Sequence, residues 1–271
     1  MEKEIIFITL CDNYNKINYL EISCKIWKIK NLNCIILDEW KGYQHKIIEL
    51  RKLIKNISDD TIVCFIDAYD VIFSSQNDDI FDKFINLNCN ILFSAELFCY
   101  PENNAKYYND LKLYNSNSNF KYLNSGGYIG YNKYIKKMLE WKSDDDIIDI
   151  CKNCGDQNYF TLYFLENWNT ENIKLDINQE IFQSMCGLNY YKDFIFINGK
   201  LYNKALKKYP SIIHFNGFGD MEIKKAKNIL TGSNENIIKK FIDLMIESKI
   251  NESIINIYYI YPFKVLNQIT A

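Results

Sequence analysis

Apolar residues in this chain fall into two alternating patterns. Short, nearly continuous hydrophobic runs are separated by longer segments in which apolar residues recur every three or four positions, the signatures of a buried strand and an amphipathic helix. Residues 4–11 form the first run, and after a polar turn Ile17, Leu20, Cys24 and Trp27 follow at helical spacing. Residues 34–37 read as a second strand and 43–55 as a second helix. A strongly apolar third strand is predicted over 61–66, a helix over 78–85 and a fourth strand over 90–94. Strands alternating with helices predict a parallel α/β sheet with right-handed crossovers, a nucleotide-binding type of architecture.

Beyond Pro101 the pattern loosens. Residues 103–119, rich in Asn, Tyr and Ser, read as a long surface loop or irregular helix. Helices are predicted over 133–141, 156–166 and 234–247, and strands over 194–197 and 211–214. The apolar, aromatic stretch 254–265 suits either self-association, as in a homodimer, or cover for the core. With no internal repeat and no linker, residues 1–271 are read as a single domain.

Composition narrows the chemistry. Ten glycines and three prolines in 271 residues fall well below the usual ~7% and ~5%, which excludes a collagen-like or linker-rich chain. Half of those glycines cluster, as Gly126, Gly127 and Gly130 and as Gly217 and Gly219. A net charge of −2 gives no general attraction to nucleic acid or to an anionic membrane. Arg51 is the single arginine, so a phosphate must be held by lysine, backbone N–H groups or a metal ion rather than by a guanidinium fork.

Of nine cysteines, Cys24, Cys64 and Cys89 sit in or beside apolar runs and read as core residues. The N-terminal apolar run fits a first strand rather than a signal peptide, and no stretch approaches the ~18 apolar residues of a membrane span. The expectation is a protein of the reducing cytoplasm. Cys151-Lys-Asn-Cys154 has the spacing of half a zinc site or a redox pair, but a second pair and a thioredoxin context are both missing.

Three segments carry candidate chemistry. In Phe65-Ile-Asp-Ala-Tyr-Asp-Val71 two carboxylates, Asp67 and Asp70, follow a buried strand, where open α/β sheets bind ligands and where oxygen ligands suit a hard cation; a simple strand-ending turn uses Asp as well. Leu123-Asn-Ser-Gly-Gly-Tyr-Ile-Gly130 allows close backbone approach to a ligand, or marks a bulge in a strand. His214, one of two histidines, ends an apolar strand just before Gly217, whereas His45 has no such context and reads as structural. Asp156 and Gln157 open a helix that they either cap or arm, and Asp144 to Asp146 read as a solvated helix start. Trp40 suits either base stacking or core packing.

Taken in order, Thr61-Ile-Val-Cys-Phe-Ile-Asp-Ala-Tyr-Asp-Val-Ile-Phe73, Ser94-Ala-Glu-Leu-Phe-Cys-Tyr-Pro101, Tyr122-Leu-Asn-Ser-Gly-Gly-Tyr-Ile-Gly130, Asp156-Gln-Asn-Tyr-Phe160, Ile181-Phe-Gln183 and Ile213-His-Phe-Asn-Gly217 resemble the glycosyltransferase domain of the procollagen lysyl hydroxylases and related collagen glycosyltransferases. The resemblance runs over about residues 5–220. It implies a GT-A fold, a mixed, mostly parallel sheet flanked by helices. It also implies transfer of glucose from UDP-glucose to galactosyl-hydroxylysine of collagen-like chains, or of galactose from UDP-galactose to hydroxylysine. Residues 1–100 would form the nucleotide-binding part, 101–220 the acceptor part and 221–271 a tail.

By the same resemblance Asp67, Asp70 and His214 bind Mn²⁺, or Mg²⁺ in its place. Tyr69 lies along the uridine, Trp40 contacts the nucleotide, and Asn216 and Gly217 face the diphosphate. Asn124, Gly126 and Gly127 line the sugar and acceptor side, with Asp156 and Gln157 near the reacting hydroxyl. A cation suits this chain: it stabilises the charge left on UDP without proton transfer, and two carboxylates with an imidazole favour Mn²⁺ over Mg²⁺. Two departures stand out. Only Asp156 precedes Gln157, where the family has a run of aspartates, and Asp220 stands where the family has a lysine that reaches the diphosphate, leaving Lys224 or Lys225 as substitutes. Those departures keep open a catalytically silent binding module of the same fold; a nucleotidyltransferase is the third reading.

Overall fold

A computed structural model describes residues 4–110, 118–217, 234–249 and 264–266. In chain order the elements are β1 (Ile5–Cys11), α1 (Asn18–Trp27), β2 (Leu32–Ile36), α2 (Gln44–Ile54), β3 (Ile62–Ile66), β4 (Val71–Phe73), α3 (Asn77–Leu87), β5 (Ile91–Glu96) and α4 (Ala105–Asp110). Then come β6 (Tyr122–Tyr131), α5 (Asn132–Leu139), α6 (Asp144–Asn167), β7 (Ile173–Leu175), β8 (Phe182–Ser184), α7 (Tyr190–Asp193), β9 (Phe194–Ile197), β10 (Lys200–Asn203), β11 (Ile212–His214), α8 (Asn234–Lys249) and β12 (Lys264–Leu266).

The main sheet has the order β12-β2-β1-β3-β6-β5-β7. Its pairings are parallel except where β6 runs antiparallel between β3 and β5. This is the mixed, mostly parallel sheet expected from the sequence. Alternation along each strand sends side chains to two cores. Phe7, Cys64 and Ile66 pack with α1, α3 and α8, while Ile8, Val63 and Phe65 pack with α2, α5 and α6. Cys24, Cys64 and Cys89 are buried in the first of these cores, as their apolar context implied.

The sheet crosses the division set near residue 100, because β6, from the later part, is the strand that joins β3 to β5. In a second sheet, β4-β11-β8, β11 is the strand expected at 211–214, whereas β4 and β8, three residues each, escape sequence periodicity and take their place from pairing rather than pattern. The helix expected at 156–166 is the second half of α6, set off by the non-helical Gly155 (φ 68°, ψ −174°) from a first half that starts at Asp144. That backbone conformation is essentially open to glycine alone. Of the segment 103–119, residues 105–110 are helical, and 111–117 lie outside the described residues, as do Gly219, Asp220, Lys224, Lys225 and most of the 221–271 tail. No described helix is long and apolar enough to cross a membrane.

Candidate active site

The site forms where β3 ends. Asp67 N–H donates to the Gly126 carbonyl at 2.9 Å, fixing the turn 67–70 against β6. Beyond it β4 pairs antiparallel with β11, setting Val71 opposite His214, and Phe215 N–H donates to the Asp70 carbonyl at 2.8 Å. Short strands far apart in sequence thus bring an imidazole onto two carboxylates. His214 Nε2 lies 3.3 Å from Asp70 Oδ2 and 3.8 Å from Asp67 Oδ2. One ligand atom from each of the three residues falls within 4.8 Å of the others.

The glycine segment makes room for this cluster. Between Phe93 and Ser94 the β5–β6 register jumps from Tyr128 to Asn124, so Ser125, Gly126 and Gly127 bulge from the ladder. A Cβ at Gly126 would stand 2.1 Å from His214 Cε1, and one at Gly127 would stand 2.8 Å from the Phe182 ring. The expected bulge is present, and at Gly126 it leaves the space that the His214 ring fills. The side-chain direction of Gly127, expected to line the sugar, points at Phe182 in the core. Asn124 turns behind the histidine: its Oδ1 is 3.0 Å from His214 Nδ1 and accepts the Gly126 N–H at 3.1 Å. With Nδ1–H donating to Asn124, Nε2 is the ring atom that faces the carboxylates.

This donor set fits a divalent cation. Burial alone would raise the Asp70 carboxyl, yet His214 and then Lys46 hold it below the usual range. Burial works against the charged imidazole of His214, but Asp70 and Asp67 raise it. The pocket therefore draws positive charge to the very atoms that two carboxylates and a neutral imidazole would offer to a metal.

A second, cationic pole was not anticipated from the sequence. Lys46, on α2, places Nζ 2.5 Å from Asp67 Oδ1 and 3.4 Å from Asp156 Oδ2. Burial disfavours its charge, but Asp156 and Asp67 outweigh burial and hold the proton on. Asp156 itself, 3% exposed, has its carboxyl raised by burial against the pull of Lys46. Lys46 lies four residues before buried Leu50 on an amphipathic helix, and that offset is the only trace of its inward position in the sequence.

Glu96, at the end of β5, is the other unanticipated group. Its oxygens accept from Gln157 Nε2 and Asn216 Nδ2, each at 2.7 Å, and burial pushes its carboxyl up to about 7. Gln157 also accepts from Ser125 N–H at 3.2 Å. Asn216, expected at a diphosphate, does line the cleft, and its side chain is hydrogen-bonded into the wall: besides Glu96, its Oδ1 accepts from Met185 and Cys186 N–H. Gly217, at φ 75°, remains on the cleft wall.

An open cleft of about 290 Å³ runs past these groups, lined among others by Tyr43, Lys46, Tyr100, Asp156, Gln157 and Gly217. Tyr69 is 39% exposed and its hydroxyl is anchored by Asp12 and Asn13 N–H at 2.9 and 3.0 Å. Trp40 is 37% exposed and packs edge-on against Tyr43 and His45. Asp144 binds Arg51 and Asp146 binds Ser143 at the start of α6, the solvated helix start expected for that run.

A mixed α/β sheet with two carboxylates and an imidazole gathered at its carboxyl edge defines a ligand-binding α/β protein. The chain belongs to the PLOD GT domain family, whose profile matches residues 24–240. It is 31% identical over 223 residues to a procollagen-lysine,2-oxoglutarate 5-dioxygenase of Drosophila melanogaster, covering 77% of this chain and 30% of that one. It is 28% identical over 211 residues to the multifunctional procollagen lysine hydroxylase and glycosyltransferase LH3 of Homo sapiens, covering 70% and 26%. An uncharacterized protein, R699, of Acanthamoeba polyphaga mimivirus is 31% identical over 201 residues, covering 72% and 39%. The chain thus spans about a third of the length of these relatives. Among solved structures it resembles mouse xyloside xylosyltransferase 1 (TM-score 0.46, 11% identity, 78% and 97% covered) and the galactosyltransferase LgtC (0.45, 13%, 90% and 96%).

Proposed function

We propose that this domain transfers a hexose from a UDP-sugar, glucose from UDP-glucose in the first instance, to galactosyl-hydroxylysine of collagen-like chains in a Mn²⁺-dependent reaction. The observation that carries the reading is the Asp67–Asp70–His214 cluster at the C-terminal edge of β3, the edge at which open α/β sheets take their ligands. Kinship with the PLOD GT domain, one of whose relatives is named a procollagen lysine hydroxylase and glycosyltransferase, supports a sugar donor and a collagen-like acceptor.

Asp67, Asp70 and His214 would hold the cation, which supplies charge stabilisation for the departing diphosphate. This chain's own residues do the rest. Asn124 keeps the imidazole in the tautomer that leaves Nε2 free. Lys46 neutralises Asp67 through Oδ1, the oxygen other than the one nearest His214, and pairs with Asp156 at Oδ2, which keeps Asp156 able to accept a hydrogen bond from an acceptor hydroxyl. Exposed Trp40 and Tyr69 offer ring faces to a uracil, an interaction that needs no arginine.

The test is UDP release from UDP-glucose with Mn²⁺ and a galactosyl-hydroxylysine peptide, with UDP-galactose and an unglycosylated hydroxylysine peptide in parallel. The expected result is release with the first pair, abolished by EDTA and by Asp67→Ala. Turnover only with the second pair reassigns donor and acceptor; release with neither, and Mn²⁺ binding untouched by Asp67→Ala, refutes the transferase reading.

A further inference from the structure

Outside the metal cluster, one sequence motif remains without a role. Cys151-Lys-Asn-Cys154 forms the last turn of the first half of α6, ends at the glycine break, and is followed at once by Asp156. All four of its residues line the cleft. Of the other cysteines, Cys11, Cys24, Cys34, Cys64 and Cys89 are buried, with the Cys11 and Cys34 sulfurs 3.5 Å apart, while Cys99 and Cys186 are partly exposed and do not line the cleft as the Cys151–Cys154 pair does.

We propose that Cys151 and Cys154 are a reversible dithiol switch whose closure to a disulfide moves Asp156 and shuts down the cleft. Residues three apart on a helix hold their Cβ atoms about 5–6 Å apart on one face, whereas a disulfide needs about 3.5–4.5 Å. The pair is therefore placed to react but must tighten its turn by about an ångström. Tightening toward a 3₁₀ turn, in which such residues eclipse, supplies that movement, and a helix end released by Gly155 is where the backbone permits it. The next residue after the hinge is Asp156, whose ion pair with Lys46 spans 3.4 Å. Closure thus displaces the carboxylate that faces the acceptor. Gly155 also abuts the ring of Tyr43, 3.4 Å from where a Cβ would stand, so the movement reaches the opposite wall of the cleft.

The oxidant is a low-molecular-weight disulfide such as oxidised glutathione. Partly exposed Cys154 attacks first as its thiolate; a mixed disulfide forms, and one glutathione leaves and takes up a proton. Burial pushes the Cys151 thiol up to about 12, so Cys151 acts second, in an intramolecular displacement whose proximity offsets its low thiolate fraction. The second glutathione leaves protonated. Two protein thiols are oxidised and one glutathione disulfide is reduced.

The consequence for turnover rests on the transferase reading; the thiol chemistry does not. The full chain is treated with oxidised glutathione, its thiols mapped by peptide mass spectrometry, and Mn²⁺-dependent UDP release measured before and after dithiothreitol. The expected result is a Cys151–Cys154 link and a fall in release of at least about tenfold, since ångström displacements beside reacting groups cost that much or more, reversed by dithiothreitol. In Cys154→Ser the ratio of oxidised to reduced rates should stay near one. A glutathione adduct that never closes, a closed pair with unaltered release, or equal loss in Cys154→Ser overturns the proposal. Should that variant not fold, phenylarsine oxide, which needs two adjacent thiols, decides: one equivalent should block wild-type release while mass spectrometry places the arsenic on Cys151 and Cys154, and indifference to it, or block with the arsenic on the neighbouring Cys11 and Cys34, overturns the switch. Absence of release from the reduced protein would instead sink the transferase reading, with the linked peptide still deciding the thiol chemistry.

Discussion

Asn124 Oδ1 lies 3.0 Å from His214 Nδ1 and at the same time accepts the Gly126 N–H at 3.1 Å. One side chain therefore fixes both the imidazole tautomer and the backbone beneath it. Asn124→Ala should weaken Mn²⁺ binding by about 10–100-fold, the usual cost of losing a partner behind a metal-bound histidine. Titration of Mn²⁺ followed by electron paramagnetic resonance measures it; affinity unchanged within error would dissociate Asn124 from the metal site.

Adjacent glycines should separate function from stability. A Cβ at Gly126 meets the His214 ring, and a Cβ at Gly127 meets Phe182 in the core. Gly126→Val should lose Mn²⁺ binding by displacing the imidazole while helix content persists. Gly127→Val should lower stability by about 1–3 kcal/mol through overpacking with less effect on the metal. Thermal melts and Mn²⁺ titrations of the two variants, side by side, check the contrast.

Removing the Lys46 charge strands two carboxylates. Asp156 is 3% exposed, and breaking one partner from a buried pair costs roughly 3–5 kcal/mol. Lys46→Met should therefore both abolish transfer and destabilise the fold, and Lys46→Met with Asp156→Asn should recover part of the stability but none of the transfer. Urea unfolding of the single and double variants is the measurement. A single variant as stable as wild type would show that the lysine is not compensating buried charge.

Glu96 gives stability a pH dependence of defined sign. Its carboxyl is raised from 4.5 to about 7, chiefly by burial, so between those values the native state binds more protons than the unfolded state. Stability from this group is present below pH 4.5 and is lost as pH rises through 7, a swing on the order of 3 kcal/mol at most. Unfolding free energies of wild type and Glu96→Gln measured from pH 4.5 to 8 should diverge in that direction, with the wild type losing ground as pH rises. Parallel curves would refute the assignment.

Much of the sheet was legible in the chain because long buried strands announce themselves. Residues 61–66 and 90–94 read as strands and were found within two residues of Ile62–Ile66 and Ile91–Glu96. The three-residue strands β4 and β8 were not, since so short a segment carries no period and is defined by its neighbours. Asp67, Asp70 and His214 were nominated by position, at the ends of apolar strands. Lys46 was not, because a lysine on an amphipathic helix looks the same whether its head reaches water or two buried carboxylates.

The sequence by itself determined the fold class, the burial of the long strands and the types of ligand available, because hydrophobic periodicity and residue chemistry are local properties. Glycine scarcity drew attention to Gly126 and Gly127, although only packing decided what each glycine does. Gly126 makes room for His214, Gly127 packs on Phe182, and Gly155 breaks α6. Tertiary structure alone decided which polar groups meet. The β4–β11 register sets His214 beside Asp70, α2 delivers Lys46 to Asp67 and Asp156, and burial gives Glu96 its raised carboxyl. Pairings across more than a hundred residues follow from strand register and helix packing, which no local pattern encodes.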